Sequence, residues 1–224
     1  MKKFKILLLL IAVIAASLTL TACSRSKSVN VVIPDGFVEY KNDKHKFSIH
    51  YPAVWTLLDD SITFDDIKDV ILEKHGQEFL NQVAVLGFNV DFSRVAAIWF
   101  DFYNMADEFA PNVNLVIDAN RGGLKQSDLK KSDVQRGLQK VFEEGFAQVF
   151  KDFTPVANIT GKTLGNNYFL IYLFDTTMGD MKLSFCQAMT IIGNDMYMFT
   201  YTTHHGTLDA STEMYEQMLS TLKH

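Results

Sequence analysis

Phe169-Leu170-Ile171-Tyr172-Leu173-Phe174 is an unbroken apolar run. Gly165-Asn166-Asn167 precedes it and Met178-Gly179-Asp180 follows it, so the segment is bounded by turn residues and reads as a strand over 168–176. A strand that is wet on one face alternates apolar and polar residues; one without a polar gap is covered on both faces. Three further strands are predicted around it, over 157–164, 181–192 and 196–203, with Gly193-Asn194-Asp195 as the last break. Short turns of this composition build an antiparallel meander.

Two segments are suited to cover such a sheet. Residues 132–150 place Val134, Leu138, Val141, Phe142, Phe146, Val149 and Phe150 on one helical stripe. Ser132 with Gln135 predicts a capping box at its start. Residues 211–222 carry Met214, Tyr215, Met218, Leu219 and Leu222 on one face. Helices on both faces of an antiparallel sheet satisfy the double burial. The expected fold class is α+β, an α/β/α sandwich with a central antiparallel sheet.

Towards the N-terminus, residues 37–42 and 46–51 read as two strands around Asn42-Asp43-Lys44. Phe47, Ile49 and Tyr51 alternate with polar neighbours, and Pro52 closes the second strand. Trp55 follows as a core anchor. Residues 63–74 and 77–86 are predicted helices, and 96–103 and 112–119 predicted strands, with a loop over 105–111 between the latter pair. No internal repeat and no domain boundary is evident after residue 31. The chain divides into a leader over 1–22, a lipidated cysteine and tether over 23–31, and one domain over 32–224 with a helical insertion at about 56–89.

The leader has its own pattern. Lys2, Lys3 and Lys5 precede an apolar run over 6–18, and Leu20-Thr21-Ala22-Cys23 follows. That is an export signal of signal-peptide length, short for a membrane span. Its last four residues resemble the lipobox of bacterial lipoproteins. The resemblance implies cleavage between Ala22 and Cys23 and a diacylglycerol thioether on Cys23, holding the protein on the extracytoplasmic face of a bacterial membrane. The bilayer is then a partner through acylated Cys23. Ser24 to Asn30 is polar and aperiodic, a flexible tether. Losing the three lysines of the leader moves the formal charge from -5 to -8, which leaves no electrostatic footprint for nucleic acid. The chain has 2 cysteines. With Cys23 acylated, Cys186 has no intrachain partner, and a disulfide framework is excluded. The fold must rest on a core rich in its 18 phenylalanines and 9 methionines.

A further resemblance lies in the order of segments. Tyr40-Lys41-Asn42, Lys46-Phe47-Ser48-Ile49-His50-Tyr51-Pro52 and Trp55 come first. Phe109-Ala110-Pro111-Asn112-Val113-Asn114-Leu115-Val116-Ile117 comes next. Tyr168-Phe169-Leu170-Ile171-Tyr172 and Met196-Tyr197-Met198-Phe199-Thr200-Tyr201 follow the long helix. The succession resembles the PsbP-like superfamily, which includes the extrinsic subunit of photosystem II and a Ran-binding nuclear import factor, and most of all its bacterial lipoproteins. It implies the same α/β/α sandwich and a role in assembly or binding without catalysis. It supplies no catalytic residues, and the insertion between Trp55 and Ala96 departs from the compact family pattern.

Candidate chemistry is sparse. His204-His205 with Asp209 offers imidazole and carboxylate, but neighbouring residues on a strand end point opposite ways, which is poor for chelation. Thioethers suit Cu(I), yet Met196, Met198, Met214 and Met218 sit at core spacing, where methionine fills gaps. Asp59, Asp60, Asp65, Asp66 and Asp69 lack the spacing of a calcium loop. Cys186, between Phe185 and Gln187, reads as a buried thiol. No catalytic motif is present, so no cofactor and no metal are expected. Tyr103, Met105 and Phe109 place apolar side chains in an irregular loop, a candidate binding surface. The sequence therefore points to a non-enzymatic, membrane-anchored binding or assembly factor with an envelope protein or small ligand as partner. The alternatives it leaves open are an envelope hydrolase with a spatially assembled site and a metal-binding chaperone.

Overall fold

The computed structural model describes residues 31–59, 95–106, 109–120, 122–150, 152–178 and 181–224, with the side chains of Val149, Met178, Asp209 and Ala210 set aside. The leader, Cys23, the tether up to residue 30 and the helices expected at 63–74 and 77–86 lie outside the described residues.

Strands β1 (Phe37–Asn42) and β2 (Phe47–Pro52) form an antiparallel ribbon, with Phe37 opposite Pro52 and Asn42 opposite Phe47. The remaining strands are β3 (Thr56–Asp59), β4 (Val95–Phe100), β5 (Asn112–Ala119), β6 (Thr154–Pro155), β7 (Thr160–Leu164), β8 (Asn167–Met178), β9 (Met181–Ile192) and β10 (Asp195–His204). They make an eight-stranded sheet in the order β3-β4-β5-β10-β9-β8-β6, with β7 also paired to β8. Every pairing is antiparallel. The expected meander is β7-β8-β9-β10, each strand paired with the next. Among the described residues, two α-helices accompany the sheet, α1 (Ser132–Val149) and α2 (Leu208–Ser220). Among the described residues, no helix is long and apolar enough to cross a membrane.

The apolar run of β8 divides as its pleat requires. Phe169 and Ile171 enter one buried cluster with Cys186, Ala188, Tyr197, Phe199 and Tyr201, whereas Leu170, Tyr172 and Phe174 enter another with Phe185, Met189 and Met198. Helix α2 contributes Leu208, Tyr215, Met218 and Leu219 to the first cluster. Helix α1 contributes Leu138 to the second, and Val134, Phe142 and Phe146 pack against it. Helices alone do not supply the cover. Tyr40, Phe47 and Ile49 of the ribbon share the first cluster with α2. The C-terminal tail ties ribbon and helix together, since Ser48 and Lys223 exchange backbone hydrogen bonds at 2.9 Å and the His50 amide donates to Thr221 Oγ1 at 2.8 Å.

Local boundaries differ from the sequence reading where side chains compete for the backbone. The strand expected over 96–103 stops at Phe100, because Asp101 caps a 3-10 helix over Phe102–Asn104. The capping box of Ser132 and Gln135 does not form. Lys131 is the N-cap without a side-chain bond, and the Gln135 amide donates instead to Leu129 O at 2.8 Å. The strand expected from 157 begins at Thr160, and α2 begins at Leu208 rather than Ser211. Thr56–Asp59, expected in the insertion, is a strand paired with β4. One glycine is required by position: Gly165, at φ 58 in the β7–β8 turn, lies where a Cβ would collide with the backbone carbonyl of Ser220 at the end of α2.

Candidate functional site

A cleft of about 1100 Å³ opens where β10 ends and α2 begins. Register explains its walls. Tyr201, Thr203 and His205 lie on alternate positions of β10 and its extension, on the face that carries Tyr197 and Phe199. Lys182 opens β9 beside them, Asp101 and Asn104 come from the turn after β4, and Thr207, Ser211 and Met214 come from the first turns of α2. Met181, Ala106 and Pro111 add apolar wall.

The hydroxyls of the cleft are committed to one another and to backbone. Thr203 Oγ1 lies 2.8 Å from Thr207 Oγ1, which donates to His204 O at 2.7 Å. Ser211 Oγ donates to Thr207 O at 3.1 Å. Tyr201 stacks on Trp55 at 6.5 Å and on Tyr215 at 5.5 Å. Burial pushes its hydroxyl above the usual tyrosine range, and the neighbouring Ser211 and Thr203 hydroxyls pull it partly back. Asp101 is 2% exposed, and its carboxylate accepts Asn104 N at 3.2 Å and Asn104 Nδ2 at 2.7 Å.

The two histidines diverge, as adjacent strand residues must. His204 meets Phe109 edge-on at 5.2 Å, and its buried Nε2 has no hydrogen-bond partner. His205 is exposed, with Nδ1 3.3 Å from Asp175 Oδ2; Asp175 Oδ1 accepts from Ser184 Oγ at 2.6 Å. Ser184 is 3% exposed, so this chain of groups offers no open nucleophile. The Asp209 side chain lies outside the described residues.

The apolar loop divides likewise. Tyr103 is 85% exposed, whereas Met105 is half-buried and Phe109 packs towards the α1-side cluster. Cys186 is fully buried, and burial pushes its thiol up to about 12, which leaves it inert at neutral pH. Met189 and Met198 are buried in the α1-side cluster, with Met181 and Met196 packed against it. Among the described residues, no group of three or more metal-ligating side chains converges. Asp101, Lys182, Tyr201 and Thr203 were not singled out by sequence. Asp101 alone carried a local signal, an aspartate at a strand end three residues before Asn104, which is the pattern of a side-chain-capped turn.

No known protein-family profile matches the chain, and no curated protein matches it. Solved structures do. Cyanobacterial PsbP (CyanoP) from Synechocystis sp. PCC 6803, in solution, superposes with a TM-score of 0.51 at 13% identity over 88% of this chain and 97% of that one. LpqN, involved in cell envelope biogenesis of Mycobacterium tuberculosis, superposes at 0.49 with 10% identity over 84% of this chain and 85% of that one. At such identity the PsbP match speaks to fold alone. The chain has a PsbP-like α+β fold, among the described residues mostly antiparallel sheet with two α-helices.

Proposed function

We propose that this protein is a lipid-anchored, extracytoplasmic binding or assembly factor that captures its partner without catalysing a reaction. The observation that carries the reading is the state of the cleft: its hydroxyls bond backbone and one another, and the buried His204 Nε2 reaches none of them. A nucleophile needs an adjacent base within hydrogen-bond reach, whereas a binding site needs concavity and a few polar groups. The anchor rests on Leu20-Thr21-Ala22-Cys23 and the polar tether after it. The layers are read as an α/β/α sandwich, supported by the membership of α1 and α2 in separate clusters. Tyr103, exposed beside the cleft turn, extends the surface offered to an envelope protein, with Met105 half-buried and Phe109 packed against the α1-side cluster.

Crosslinking and pull-down from intact cells tests the reading, with Cys23→Ala as the control. A reproducible envelope partner, together with release or failed processing of the Cys23→Ala form, is expected. Unchanged membrane extraction of that variant would sink the anchor, and recovery of no partner above control would sink the assembly role. A companion deletion belongs within 60–89, because 56–59 is part of the sheet.

An envelope hydrolase is the second reading. The cleft does gather His204 and His205 with the hydroxyls of Thr203, Thr207 and Ser211. It requires a rearrangement that brings an imidazole onto a hydroxyl, and labelling of one of these three residues by a fluorophosphonate probe would establish it over the binder.

A further inference from the structure

We propose that the cleft binds a short, extended peptide, with a free N-terminal ammonium on Asp101 and the C-terminal carboxylate towards Lys182. This rests on the reading of the cleft as the binding site and names what it takes. Asp101 is 2% exposed and lines the cleft. Its carboxylate is met only by neutral donors, Asn104 N and Asn104 Nδ2, and it forms no ion pair among the described residues. A buried carboxylate met by neutral donors alone can accept a charge-assisted bond from a cation entering by the cleft, stronger than the neutral bonds it already has. The ammonium of a ligand is such a cation, and the carboxylate retains lone pairs to accept it.

The opposite wall carries the opposite charge. Lys182 is exposed, lines the cleft and forms no ion pair among the described residues. Asp101 follows β4 and Lys182 lies at the start of β9; in the order β4-β5-β10-β9 they stand three strand spacings apart, about 14 Å across the strands, and the registers put Lys182 two residues further along. An extended chain advances at most about 3.3–3.6 Å per residue, so about four residues, met by the reach of the Lys182 side chain, span that gap. Between the charges, Tyr201, Met214 and Pro111 provide apolar wall for the side chains of the peptide. Charges of opposite sign at the two ends fix its direction.

The test is equilibrium dialysis of the full-length protein in detergent against a randomised pool of free tetrapeptides, an N-acetylated pool and a C-amidated pool. The free pool should bind. N-acetylation should weaken binding at least tenfold, and amidation several-fold. Asp101→Asn should reproduce the first loss and Lys182→Ala the second. The acetylated pool tests the site on the unaltered protein, so a poorly folded variant does not decide the matter. Equal binding of free and acetylated pools overturns the inference, as does no binding at millimolar peptide. If a partner is still crosslinked while no peptide binds, this assignment alone fails. If bound tetrapeptides are cleaved, the peptide assignment stands and the non-catalytic reading fails.

Discussion

The two buried clusters are made of different aromatics. On the α1 side the rings are mainly phenylalanine: Phe146 stacks on Phe174 at 4.6 Å, and Phe174 stacks on Phe185 at 4.8 Å, with Phe142, Phe150 and Phe153 around them. On the α2 side they are mainly tyrosine and tryptophan: Tyr40, Trp55, Trp99, Tyr197, Tyr201 and Tyr215. Phenylalanine gives area without direction. Tyrosine gives similar area and a hydroxyl that must find a partner. Tyr215 Oη donates to Phe199 O at 3.0 Å, seating α2 on β10, and Tyr197 Oη donates to His45 O at 3.3 Å, seating the ribbon on the sheet. On the α1 side stacked phenylalanines dominate and the hydrogen bond from Tyr172 Oη to Glu143 Oε1 on the helix is long at 3.4 Å, while on the α2 side tyrosine-to-backbone bonds also set position. The cleft opens on the positioned side.

That contrast breaks first at its largest ring. Phe174→Ala removes a side chain that is 1% exposed from the centre of the phenylalanine cluster, and should cost about 3–5 kcal/mol in denaturant-derived stability. A loss under about 1 kcal/mol would show the α1 side to be loosely packed. Gly165→Ala tests the seat of α2 instead. Its positive φ and the collision with Ser220 O together should cost about 1–3 kcal/mol or more, since strained backbone alone has that size, with a lower thermal midpoint as the readout. Tyr215→Phe keeps the ring and deletes only the hydroxyl bond to Phe199 O. It should cost about 1 kcal/mol, and a neutral result would mean that α2 is placed by packing alone.

The smallest effect is pH-dependent. Burial holds His50 below its ordinary value of 6.5, with Glu39 opposing and Lys223 adding to the shift. The folded protein therefore disfavours the protonated imidazole relative to the unfolded chain. Its contribution to stability is present above pH 6.5 and is lost as pH falls through 6.5 towards the depressed folded value. Denaturant midpoints between pH 7.5 and 5 should fall, and His50→Gln should flatten that part of the curve. An identical slope in the variant would assign the acid sensitivity to other groups.

Period-two alternation, turn residues and helical stripes made β1, β2, β5, β8, β9, β10 and both helices legible, because those signals are local and the core reinforces them. A boundary failed where the Asp101 side chain captured backbone, and the capping box at Ser132 failed where the Gln135 side chain bonded Leu129 O instead. Among candidate residues, the burial of Cys186 and the divergence of His204 from His205 followed from strand geometry alone. The cleft did not. Asp101, Lys182 and Thr203 are distant in sequence and become neighbours only through the order β4-β5-β10-β9.

What the sequence determined by itself is thus an antiparallel sheet buried on both faces, because an apolar run such as Phe169 to Phe174 has no solvent-compatible side. Only the tertiary structure decided that the ribbon shares one face with α2, and that a buried carboxylate held by Asn104 and an exposed lysine line one cleft. Strand order and helix placement are set by non-local pairing, whose free energy is collected only once distant segments meet, and no window of sequence contains both partners.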